Sequence, residues 1–96
     1  MYEFKVHLSL KKSNEIKSKS FLDMEEAIKH LEEASVKLDE NNEHIYSRYS
    51  IIISSEGTDS SISGPFKDEK IDTDELRNKL LNGIQRLDNT IKQFER

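Results

Sequence analysis

The sequence predicts an α+β fold: a two-layer ββαββα domain in which a four-stranded antiparallel sheet, in the order 2-1-3-4, carries two helices on one face. Three observations lead there. Tyr2 to Leu10 is apolar at every even position and polar at every odd one, and the period of two returns from Ile45 to Ser55. Each such stretch is followed, after a weaker alternating partner, by a helix-start signal. Those two signals, Leu22-Asp23-Met24-Glu25-Glu26-Ala27 and Ile71-Asp72-Thr73-Asp74-Glu75-Leu76, share the order apolar, Asp, two residues, Glu.

The first strand places Tyr2, Phe4, Val6, Leu8 and Leu10 on a core-facing surface. A three-residue loop at Lys12-Ser13-Asn14 would pair Leu10 with Ile16 and Leu8 with Ser18, making the second strand a polar edge. Asp23 then caps a helix whose buried face is Met24, Ala27, Ile28, Leu31, Ala34 and Leu38. Its end is expected near Asp39 to Asn42, where an asparagine can adopt the left-handed cap. In the strand from Ile45 to Ser55, Tyr49, Ile51 and Ile53 face inward. A two-residue turn with Gly57 first would pair Ile53 with Ile62 and Tyr49 with Phe66, and Pro65 marks the fourth strand as an edge. The last helix carries the stripe Leu76, Leu80, Ile84, Leu87, Ile91 and Phe94, with Gly83 on it. The chain thus reads as one small domain over 1–96, with a weak internal repeat of 1–40 and 44–96.

Composition bounds the function. A hydrophobic fraction of 33% implies a thin core, and a net charge of -4 disfavours nonspecific attraction of the whole molecule to nucleic acid or membrane. Without cysteine there is no disulfide, thiol nucleophile or thiolate metal site. The N-terminus carries Glu3 and Lys5 where a signal peptide needs an unbroken apolar run, so the expected location is cytoplasmic. Heavy use of Lys, Ile, Asn and Glu is that of an AT-rich coding genome and points to a bacterium or its phage.

No catalytic, cofactor-binding or metal site is expected. His7, His30 and His44 lack partners at metal-ligand spacing, Glu26 and His30 share a helix face without further ligands, and the serines at 54–55 and 60–61 flank a turn with no phosphate-cradling loop. The acidic groups Glu32, Glu33, Asp39 and Glu40 read as a solvated face, so an enzyme is not expected. Charge asymmetry is more telling. Residues 1–20 hold five Lys and two Glu, a net of +3, whereas residues 23–40 hold seven acidic and two basic residues, a net of -5. On the open sheet face the expected outward set is Lys5, His7, Lys17, Lys19, Tyr46, Arg48 and Ile52, with Lys11 beside them.

Two functions follow. The first is a small noncatalytic protein-interaction domain, an accessory or inhibitor protein, with a variant in which the acidic first helix mimics nucleic acid in a basic groove. The second is a nucleic-acid binder using the basic sheet face. The two helices, about 17 and 23 residues, would be roughly 25 and 34 Å long, leaving the second to overhang. Leu81, Ile91 and Phe94 are therefore the expected association surface, for a protein partner or a homodimer.

Overall fold

The computed structural model of the chain describes residues 1–94. Strands β1 (Glu3–Leu10) and β2 (Ile16–Phe21), helix α1 (Met24–Val36), strands β3 (Tyr46–Ser55) and β4 (Thr58–Pro65) and helix α2 (Thr73–Phe94) follow one another in the expected order. The sheet is antiparallel throughout and ordered β2-β1-β3-β4. Both helices pack on the same face, over Phe4, Val6, Leu8, Tyr49, Ile51, Ile53 and Ile62, and close a core completed by Ile28, Leu31, Leu76, Leu80 and Leu87.

The two aspartates cap the helices as their sequence suggests, while Leu22, the apolar residue before the first of them, is exposed. The Asp23 carboxylate accepts the Glu25 N–H at 3.1 Å, and Asp72 accepts those of Asp74 and Glu75 at 3.0 and 3.1 Å. Asp72→Ala therefore loses two bonds to otherwise free N–H groups and is expected to cost about 1 kcal/mol, read as a lower urea midpoint. Asp23→Ala should cost less, since it loses one. Arg77 joins the two first turns, with Nη2 and Nε donating to the two Glu25 oxygens at 2.7 and 3.0 Å and Nη1 to Asp74 at 3.0 Å. The guanidinium thereby holds Glu25 below the usual carboxylate range.

Four local expectations are corrected. In the first hairpin Ser9 pairs with Ile16, His7 with Ser18 and Phe4 with Phe21, one residue away from the expected register. The loop is the four residues Lys11 to Asn14, closed by Leu10 N–H to Glu15 O at 3.1 Å and by Glu15 N–H to Ser13 Oγ at 3.2 Å. A slip of one turns every β2 side chain over. What the slip gains is Phe21, whose ring packs 5.2 Å from the imidazole of His30, while Ile16 is left exposed. An aromatic ring offers more area to bury than an isoleucine, so the bulkier side chain takes the inside.

In the second hairpin the faces are as expected but the pairs are two residues out: Ile51 faces Ile62 and Tyr49 faces Gly64. The turn residues are Glu56 and Gly57, with φ of 51° and 75°, which is the type I′ pattern. A glutamate in the left-handed region is strained by roughly 1–2 kcal/mol, so Glu56→Asn is expected to raise the thermal midpoint while leaving the fold unchanged.

Helix α1 ends at Val36, short of Asp39. Asp39 competes with the helix for the backbone, its carboxylate accepting the Asn41 and Glu43 N–H groups at 2.8 and 3.0 Å, while Asn42 takes the left-handed conformation inside this loop and not at a helix cap. Leu38 consequently leaves the buried stripe and bridges to His44. Finally, β3 bulges at Ser47: Ser9 pairs with Arg48 but Leu10 pairs with Tyr46. The extra residue rotates Tyr46 from the open face into the core, where it is 6% exposed and its ring lies 6.4 Å from that of Phe66.

Candidate functional site

The helices leave one face of the sheet bare, and its composition follows from the registers. Reading across β2, β1, β3 and β4, four rows stand on it: Ile16, Ser9, Arg48 and Pro65; then Ser18, His7, Ser50 and Ser63; then Ser20, Lys5, Ile52 and Ser61; and, on three strands, Glu3, Ser54 and Asp59. Seven of the fifteen side chains are serines, so a short hydroxyl is the commonest group on this surface. The row through His7 forms a shallow trough, walled by Ile16 and Arg48 on one side. His7 Nδ1 lies 2.6 Å from Ser18 Oγ across the β1–β2 pair. No carboxylate bonds to that imidazole among the described residues, and both groups face solvent, so the pair orders the surface and lacks the third group that would orient a base.

Of the outward set expected from sequence, Lys5, His7, Arg48 and Ile52 are brought together here. Lys17 and Lys19 are not. The register puts them on the helix side of β2, where the Lys19 ammonium sits 5.4 Å from the Phe21 ring centroid. Tyr46 is absent from the face because of the Ser47 bulge. Lys11 is turned to Asp68 at 2.9 Å, and this ion pair holds the Asp68 carboxyl low. Five of the seven serines, Ser9, Ser50, Ser54, Ser61 and Ser63, stand outward in the alternation the sequence shows, and Ser18 and Ser20 join them only through the one-residue shift of the first hairpin.

Some of the other charges pair locally. Lys12 contacts Asp39 and Glu43, and Lys70 lies 3.6 Å from Glu32. His30 is pushed below its ordinary value by burial and then by Lys19. A depressed histidine supplies stability that is present above about pH 6.5, where it is neutral folded or unfolded, and lost as pH falls through the folded value. The urea midpoint should therefore fall as pH drops below about 6.5, and His30→Gln should flatten that limb.

A second concavity, of about 160 Å³, lies between β4 and the first turn of α2, lined by Tyr49, Phe66, Ile71, Leu76 and the stems of Lys67 and Lys79. It is smaller than the roughly 300 Å³ at which ligand pockets begin. The free N–H groups at its helix end are already filled by the Asp72 carboxylate. Among the described residues no three His, Asp or Glu side chains come together as a metal site, and no helix is long and apolar enough to cross a membrane.

The expected association surface is divided. Ile91 is half-buried against the core, while Phe94 is 77% and Leu81 48% exposed. Thirteen residues apart at about 100° each, Phe94 and Leu81 point roughly 140° away from one another and form no common patch. Gly83 is explained by the sheet: a Cβ there would meet Ile53 Cδ1 at 2.8 Å.

No family model, curated protein or solved structure matches the chain.

Proposed function

We propose that the chain is a small noncatalytic protein-interaction domain that docks through its open sheet face. The observation that carries this reading is the face itself: four strands wide, uncovered, and rich in short hydroxyl side chains, with Ile16, Ile52 and Pro65 among them. Short side chains on a regular sheet let another protein surface approach closely, and hydroxyls supply hydrogen bonds without the desolvation cost of charges. Supporting it further, the cations left on the face are Lys5 and Arg48, with Glu3 and Asp59 at the opposite end, and among the described residues no Phe, Tyr or Trp stands out from it, His7 being its one aromatic ring. A nucleic-acid platform needs stacking rings and a run of free cations. An accessory or inhibitor role in a bacterium or phage is the setting that fits a domain of this kind.

The test compares capture of proteins from a lysate of the source organism by the wild type and by Ser50→Arg with Ser63→Arg, which fills the trough while leaving the helices untouched. Loss of a captured protein in the variant is the expected result. Retention of every captured protein would overturn the reading, as would salt-sensitive binding of labelled single-stranded DNA or RNA that depends on Lys5 and Arg48.

A further inference from the structure

Resting on that reading of the open face, we infer that its occupant is a second copy of this chain, stacked sheet on sheet about a two-fold axis that lies in the interface and runs across the strands. Charge is distributed unevenly along the strands. Arg48 stands at one end of the face, in the row of Ser9 and Pro65, and Glu3 and Asp59 stand at the other, in the row of Ser54. An axis across the strands exchanges the two ends while keeping each strand over its own counterpart. Arg48 of either copy then lies over Ser54 of the other, between Glu3 on β1 and Asp59 on β4, and the contact occurs twice because the interface is isologous. An axis along the strands would lay acid on acid and Arg48 beside Arg48, and is disfavoured.

The middle rows agree with this choice. They exchange as well, so Ile52 of each copy stands over Ser50 of the other, a bulky side chain over a short one. Lys5 likewise faces His7, whose Nε2 is free to accept from the ammonium when Nδ1 donates to Ser18. Strands about 4.8 Å apart and rows about 6.7 Å apart give a face of roughly 500 Å², or about 1,000 Å² counted on both copies. That is at the low end for a specific contact, so the dimer is weak and salt-sensitive, forming at high protein concentration.

Sedimentation equilibrium of the full chain tests it by charge exchange. The wild type should show a concentration-dependent dimer at low salt. Arg48→Glu alone, and Glu3→Arg with Asp59→Arg alone, should each weaken it about tenfold or more, because each face then carries mostly one sign. An equimolar mixture of the two variants should dimerise again, since the glutamate introduced at position 48 of one lies over the arginines introduced at positions 3 and 59 of the other; that recovery also shows both variants to be folded. A wild type monomeric at every concentration overturns the inference, and so does a mixture that stays monomeric. Association that survives Arg48→Glu but is lost in Ile91→Glu with Phe94→Glu overturns it in favour of α2. A monomeric wild type that still loses a captured protein on Ser50→Arg with Ser63→Arg refutes the second copy while sparing the docking face.

Discussion

Gly64→Ala is expected to destabilise the protein by about 1–3 kcal/mol, the usual range for overpacking a close-fitting core. A Cβ on Gly64 would stand 2.8 Å from Tyr49 Oη, 3.1 Å from Cζ and 3.2 Å from Cε1, all closer than contact distance. Tyr49 cannot swing aside easily, since it is 4% exposed and its ring is held 5.4 Å from that of Phe66. Because the closest atom is the hydroxyl, Tyr49→Phe should recover part of the loss in the double variant. Gly83→Ala is the comparison. It too would press on a buried side chain, Ile53, but on the end of its chain, and alanine returns about 1 kcal/mol of helix propensity, so the net loss should be smaller. Equal urea midpoints for wild type and Gly64→Ala would contradict the β3–β4 register, which is what places Gly64 opposite Tyr49.

Ser35→Ala should cost about 1–3 kcal/mol, far more than a serine on a helix surface, because it strands a backbone donor. Ser35 is a buried polar residue of the core, with Oγ donating to Glu32 O at 2.7 Å and accepting the N–H of Ile71 at 3.0 Å. That second bond joins α1 to the segment entering α2. Without it the Ile71 N–H loses its acceptor, and the approach to the Asp72 cap loosens. Ser35→Thr keeps the hydroxyl and should lie between the two. Chemical denaturation of the three proteins decides it, and an alanine variant as stable as wild type would mean that the hydroxyl does not carry the link.

What is legible in the sequence is whatever periodicity and capping chemistry express locally. The alternation of Tyr2 to Leu10, the Ile51 and Ile53 pair and the Asp23 and Asp72 starts determine the elements, their order and the face the helices cover. The features that escape depend on competition between elements distant in sequence. Phe21 wins the inside from Ile16 only because His30 on α1 is there to receive it, and that contest sets the register of the whole edge strand. Tyr46 is buried by one bulged residue, Ser47, at the very start of β3, where a single residue precedes the bulge and gives no pattern to read. Helix α1 stops early because the Asp39 carboxylate prefers the loop it closes, although Leu38 continues the helical stripe. The same competition decides the site. Simple alternation puts Lys17, Lys19 and Tyr46 on the open face through a register and a phase the fold does not use, and their departure changes a basic, partly aromatic platform into a serine surface.

The most direct measurement of the open face as the docking surface is a concentration series of ¹H–¹⁵N NMR spectra at low salt. Progressive shifts should map to His7, Arg48, Ser50, Ile52, Ser61 and Ser63, and disappear in Arg48→Glu. Shifts confined to α2 around Leu81 and Ile91, with the sheet face unchanged, would contradict the account.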